Sequence, residues 1–208
     1  MENKKPLILV TNDDGITAPG IRALVEVAKE FGTVVVVAPD SPQSGMGHAV
    51  TLNKPLRMHP SQVFEGIESY ECSGTPVDCV KIAVDKVLNR KPDLCVSGIN
   101  HGSNSSINII YSGTMSAAVE AALEDIPSVG FSLCDFAYEA DFSTAQDAAR
   151  KIIPQILSKG LAHNTLLNVN VPKGKKINGI KICRQANAKW EEEFDKRQDP
   201  HGRDYYWL

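Results

Sequence analysis

A chain of 208 residues, 42% hydrophobic and 23% charged, can bury a substantial core as one α/β domain and is short for two. Its formal net charge of −3 gives no electrostatic basis for holding a nucleic-acid polymer, and no apolar run reaches the length that spans a bilayer, so a membrane is excluded as a partner. The first six residues lead straight into an apolar segment with no signal-peptide stretch before it, so the cytoplasm is the expected compartment.

Leu7-Ile8-Leu9-Val10 is a run of four apolar residues that reads as a short strand buried on both faces, as in a parallel sheet covered by helices. Polarity then reverses at Asn12-Asp13-Asp14-Gly15. This is good turn chemistry, because Asn and Asp fold back on their own backbone and Gly supplies a positive φ. It is equally the place where ligands bind in an open parallel sheet, beyond the carboxyl end of a strand. Two adjacent carboxylates in a desolvating crevice repel, and a divalent cation relieves both costs. Turn and metal site both stay open on these four residues.

Pro19 suits a helix start, and Ile21, Leu24, Val25, Val27 and Ala28 recur at helical spacing up to Gly32. Residues 33–38 form a second buried strand, so the first unit is strand–helix–strand with a right-handed crossover. The loop at residues 39–48 is rich in Gly, Pro and Ser and longer than most strand–helix connections, which suits function. Residues 49–58 and 63–72 read as extended segments in a β-hairpin excursion.

Thr75 is the expected N-cap of the next helix, with Pro76 at its first position, Asp78 in its first turn and Pro92 beyond its end. Leu94-Cys95-Val96 reads as the third core strand, and Ser97 to Asn104 as a third polar loop on the same sheet edge. Ser112-Gly113-Thr114 begins a helix of small residues. Free amides, hydroxyls and the dipole end suit a phosphate there, although Ser112 or Thr114 could equally be a simple cap. Further strands are expected at residues 127–132, 166–171 and 180–183, with a helix capped by Asp141 and running through Leu157. Residues 185–208 are charged and aromatic without clear periodicity. Trp190, Phe194, Tyr205, Tyr206 and Trp207 suggest a contact surface.

Five cysteines at irregular spacings, without Cys-x-x-Cys, are expected to be structural buried thiols. The five histidines lack His-x-x-x-His spacing, so zinc has no support. What converges on one sheet edge is oxygen: Asp13, Asp14, Ser44 and Asn100. Such donors suit magnesium, manganese or calcium. A hard cation beside an anion pocket suggests phosphoryl chemistry.

The ordered motifs Asn12-Asp13-Asp14-Gly15, Ser44-Gly45-Met46-Gly47-His48, Gly74-Thr75-Pro76-Val77-Asp78, Ser97-Gly98-Ile99-Asn100-His101-Gly102-Ser103-Asn104 and Tyr111-Ser112-Gly113-Thr114-Met115 resemble those of the survival protein E (SurE) family. The resemblance implies a metal-dependent nucleotidase, a phosphoric monoester hydrolase acting on nucleoside 5′- or 3′-monophosphates and in some members on short polyphosphate. It implies one divalent ion per subunit, Mg²⁺, Mn²⁺ or Ca²⁺, on Asp13, Asp14, Ser44 and Asn100, with Asp13, Asp14 and Asn100 acting in catalysis. Asn12, Asn104, Ser112, Gly113 and Thr114 would surround the phosphate.

The implied fold is a doubly wound, mostly parallel Rossmann-like α/β sheet with helices on both faces. The single domain has its core at about residues 5–172. Residues 173–208 would be an oligomerisation extension building a homodimer or homotetramer. The family's chain usually continues past Tyr205-Tyr206-Trp207, so this extension reads as cut short at Leu208.

Two other classes are weighed against this one. A receiver-like signalling module would need a phospho-acceptor Asp after the third core strand, where this chain has Ser97-Gly98-Ile99-Asn100. A dinucleotide-binding oxidoreductase would need Gly-x-Gly-x-x-Gly after the first strand, where Asp13 and Asp14 stand instead.

Overall fold

In the computed structural model, which describes residues 5–208 other than 138, 175 and 192, the first apolar run becomes the middle of a sheet. The strands are β1 (Leu7–Thr11), β2 (Thr33–Pro39), β3 (Met58–Pro60), β4 (Glu68–Cys72), β5 (Leu94–His101), β6 (Ser128–Cys134) and β7 (Leu167–Pro172). Their order is β3-β4-β2-β1-β5-β6-β7. All neighbours are parallel except the edge pair β3–β4. The chain winds outward from β1 to β2 and β4, then returns to the other side of β1 with β5, β6 and β7. The order reverses between β1 and β5, which is where such sheets open a crevice.

Every residue of β1 is buried, and side chains alternate between two apolar layers because successive Cβ atoms point to opposite faces. Ile8 and Val10 join the layer under α1 (Pro19–Ala28) and α5 (Ser143–Lys159). Leu7 and Leu9 join the layer under α2 (Pro76–Ile82) and α4 (Gly113–Leu123). A short α3 (Asn108–Tyr111) precedes α4. Gly20 lets α1 lie against β5, where any Cβ would collide with the Ile99 carbonyl oxygen.

Local sequence explains the α2 start. Thr75 Oγ1 accepts from the Asp78 amide while the Asp78 carboxylate accepts from the Thr75 amide, a capping box with Pro76 at the first position. The helix passes into a π-helical turn at Ala83–Val87 and ends there, short of Pro92. No helix among the described residues is long and apolar enough to cross a membrane.

Several elements differ from expectation. The expected hairpin is present as β3 and β4, within the sheet. It is the sheet's edge, with β4 parallel to β2, while residues 49–57 stay irregular. The expected loop after Val96 is partly strand, since β5 continues to His101 with a register shift between Ser97 and Asn100. Asp141 sits one residue before the α5 cap position, accepting from the Ser143 amide at 2.9 Å.

Residues 180–183 form no strand. Ile182 is 96% exposed, and the run pairs with no strand, the sheet ending at β7. Residues 185–208, read as aperiodic, contain a two-stranded antiparallel ribbon, β8 (Asp195–Gln198) and β9 (Asp204–Trp207). Cys72, Cys79 and Cys95 are buried free thiols as expected, but Cys134 is half-buried and Cys183 is exposed.

Candidate active site

The site is built on the carboxyl ends of β1 and β5. Asn12, Asp13 and Asp14 follow β1, and Gly15, at φ 94°, turns the chain toward α1. The Asn12 side-chain amide braces that turn by donating to the Gly15 carbonyl at 2.9 Å. The turn and the carboxylate pair are therefore one structure, not alternatives.

Asp13 is 3% exposed. Its Oδ1 accepts a hydrogen bond from Thr114 Oγ1 in the first turn of α4. Gly113 lies directly against it, since a Cβ there would stand 2.6 Å from Asp13 Cβ and 2.9 Å from Oδ2. Burial pushes the Asp13 carboxyl up to about 6, with the Asp14 charge adding to the rise and the Thr114 hydroxyl opposing it. Burial also raises Asp14, while the neighbouring His101 partly offsets the rise.

α4 begins where the loop chemistry requires. Ser112 is its N-cap, with Oγ accepting from the Met115 amide at 3.0 Å. The Gly113 and Thr114 amides of the first turn have no partner within the helix and point outward with the dipole. Ser112 is both a cap and a hydroxyl with a proton to give. The cap reading of Ser112 is borne out, and it leaves the hydroxyl proton uncommitted.

The loop of residues 39–48 reaches the same place. The Gln43 amide donates to the Asp13 carbonyl at 2.7 Å, and the Ile16 amide to the Pro39 carbonyl at 2.8 Å. Ser44, next to Gln43, is exposed. Asn100 stands near the end of β5 and spends its side-chain amide on the carbonyls of His101 (3.0 Å) and Gly102 (2.9 Å), which leaves Oδ1 as its available donor atom. Asn104 is anchored differently. Its side-chain amide donates to Ser132 Oγ at 2.9 Å, its backbone amide to Asn170 Oδ1 at 2.8 Å, and its carbonyl accepts from Asn168 at 2.8 Å. Among the described residues no hydrogen bond joins it to Asp13 or Ser112.

The residues fit a hard cation. Five buried side-chain oxygens among the described residues lack a hydrogen-bond partner, and four of them belong to Thr11, Asn12, Asp14 and Ser97. Thr11 and Ser97 are register partners on β1 and β5. Unpaired buried oxygens are costly, so their concentration at one crevice marks a place where a cation or water completes the structure. Among the described residues no three His, Cys, Asp or Glu side chains cluster as a metal site. The available set is two carboxylates with neutral oxygens, which favours hard cations over zinc.

Four residues with parts in this architecture have no role in the sequence reading: His101 beside Asp14, which lies inside a motif, and Ser132, Asn168 and Asn170, which hold Asn104. Their signal in the sequence is weak. Asn168 and Asn170 are polar residues inside an alternating strand, and such positions mark polar networks only once the neighbouring strand is known.

The family described as Survival protein SurE matches residues 8–192. A protein named 5′-nucleotidase SurE from Christiangramia forsetii is 64% identical over 212 residues, covering 100% of this chain and 82% of the relative. Its namesake from Flavobacterium psychrophilum is 64% identical over 207 residues, covering 98% of this chain and 80% of the relative. The crystal structure of the SurE protein from Aquifex aeolicus superposes with a TM-score of 0.83 at 40% identity, covering 97% of this chain and 81% of that one.

Proposed function

The chain belongs to the survival protein SurE family, and from that premise we propose how its crevice works as the site of a 5′-nucleotidase. The enzyme hydrolyses nucleoside monophosphates to nucleoside and inorganic phosphate. The observation that carries the residue assignment is the Thr114–Asp13 hydrogen bond, which ties the anion-binding end of α4 to the carboxylate pair after β1.

In this reading the substrate phosphate docks on the first turn of α4, held by the Ser112 hydroxyl and the outward amides of Gly113 and Thr114, with Asn12 and Asn104 at its border. Asp13, Asp14, Ser44 and Asn100 would hold one divalent ion per subunit, Mg²⁺, Mn²⁺ or Ca²⁺. Such an ion, when bound, supplies Lewis-acid charge and lowers the pKa of a water nucleophile.

The chain supplies the rest. Helix amides fix the phosphoryl group for in-line attack, and their dipoles already point where negative charge develops. Thr114 holds one Asp13 oxygen, so the carboxylate presents the other in a defined direction. No covalent phospho-enzyme is needed, because nothing in this scheme requires a protein nucleophile.

Nucleoside 3′-monophosphates and short polyphosphate are the further substrates of the proposal, since the cradle reads phosphate and not base. The exposed aromatic residues of the C-terminal region support a homodimer or homotetramer. The test is hydrolysis of a panel of nucleoside monophosphates and short polyphosphates with Mg²⁺, Mn²⁺ or Ca²⁺, and after exhaustive chelation. Turnover should need the cation; full turnover in chelator would overturn the metal assignment.

A further inference from the structure

Glu120 is a carboxylate that the hydrolysis does not use, yet it is 5% exposed on α4. Its two oxygens go to two different parts of the chain. Oε1 accepts from Lys81 Nζ of α2 at 2.8 Å, and Oε2 lies 2.8 Å from His48 Nε2. Burial pushes this carboxyl up, but the hydrogen bonds from Lys81 and His48 outweigh burial and hold it below its ordinary value. An ionised carboxylate only accepts, so His48 Nε2 carries the proton and donates.

His48 ends the loop that carries Ser44, and residues 40–48 contain no helix or strand. Its shape is set by what it is bonded to. Before Ser44, the Asp40 amide donates to the Cys72 carbonyl at 2.9 Å and the Gln43 amide to the Asp13 carbonyl at 2.7 Å. After Ser44, the Gly47 amide donates to the Tyr111 carbonyl at 3.2 Å. Thr75 Oγ1 then donates to the Ala49 carbonyl at 2.7 Å. The His48–Glu120 contact ties the loop to α4 itself. Glu120 lies about 12 Å along that helix from Ser112, eight residues at 1.5 Å each. One helix thus carries the phosphate cradle at its start and the loop's tether two turns later.

We propose that Glu120 is a positioning residue: through His48 it sets the loop that presents Ser44, so that cradle and cation ligand are registered to the same helix. The inference rests on the reading of Ser44 as a cation ligand. Lys81 holds the other oxygen of Glu120 and, among the described residues, makes no hydrogen bond to the loop, which separates positioning from general stability.

The test is thermal unfolding of the full chain titrated with Mn²⁺ after chelation, with nucleotide hydrolysis as a second readout. His48→Ala alters an exposed loop residue and should fold. It should raise the Mn²⁺ midpoint by about 10- to 100-fold, the range for loss of support around a metal ligand, on top of a small drop of melting in chelator from the unpaired Glu120 oxygen. His48→Gln, which keeps a donor, should recover part of the loss. Glu120→Gln should shift the midpoint in the same direction, and the double variant with His48→Ala no further. Lys81→Met should leave it in place. If His48→Ala lowers melting equally with and without Mn²⁺ and leaves the midpoint unchanged, the contact is only a structural tie and the proposal falls. Ser44→Ala separates the two levels. If it shifts the midpoint and His48→Ala does not, positioning alone fails; if neither shifts it, the metal reading fails too.

Discussion

The Thr114 hydroxyl donates to Asp13 Oδ1 across 101 residues of chain, so the start of α4 and the acid pair after β1 are one unit. Thr114→Val keeps the shape and removes the donor. It leaves a buried carboxylate oxygen unpaired, at a cost of about 1–3 kcal/mol, and should remove most turnover. Gly113→Ala acts through space, because its Cβ would press on Asp13. It should reduce activity with the fold retained. Denaturant melts and steady-state kinetics on both variants check this; unchanged kcat/KM in both would separate the two halves of the site.

Neutralising the acid pair should produce a crossover. Burial and mutual repulsion penalise Asp13 and Asp14 in the metal-free protein. Asp13→Asn and Asp14→Asn should therefore melt at or above wild type in chelator. They should gain less from added Mg²⁺ or Mn²⁺, since a ligand stabilises only as tightly as the folded state holds it, and both should lose turnover. Variants that track wild type with and without metal, and stay active, would reduce the pair to a turn.

Ser112→Ala should weaken phosphate binding more than folding. Removing the cap costs about 1 kcal/mol, whereas the hydroxyl and the helix end are aimed at an anion. Inorganic phosphate should protect wild type against thermal unfolding and protect Ser112→Ala less. Equal protection would mean that phosphate binds elsewhere.

Asp78 makes stability depend on pH at the acid end. Burial pushes its carboxyl up, but hydrogen bonds from Thr51 and Thr75 outweigh that and hold it below its ordinary 3.8. A depressed carboxyl contributes stability that is present above the unfolded value and lost as pH falls through the folded one. Asp78→Ala should thus be less stable at neutral pH by about 1–3 kcal/mol, the cost of leaving its donors unpaired. The gap to wild type should narrow below pH 3.8. A gap independent of pH would contradict this.

The C-terminal aromatics should mediate self-association. Trp190, Phe194, Tyr206 and Trp207 are each at least 45% exposed, and Trp190 packs against Tyr111 with ring centroids 4.8 Å apart. So many large exposed rings are typical of interfaces. Small-angle scattering over a concentration series should show a dimer or larger. A monomer at all concentrations would remove the assignment.

The sequence by itself determined what acts over a few residues. The apolar run at Leu7 to Val10 requires burial on two faces, and Thr75-Pro76-x-Asp78 starts a helix wherever it lies. Asn12 to Gly15 makes a turn because side-chain and backbone geometry there are local. The motif set placed the acid pair, Asn100 and the Ser112 cap in order along the chain. Other features were decided only by the tertiary structure. Residues 97–101 are strand because β6 lies beside them, and residues 180–183 are not strand because no ladder adjoins them. Asp13 meets Thr114, and Glu120 meets His48, because the sheet order reverses between β1 and β5 and brings α4 under both. Contacts of that kind depend on the packing free energy of the whole sheet and its helices, which no local window of residues contains.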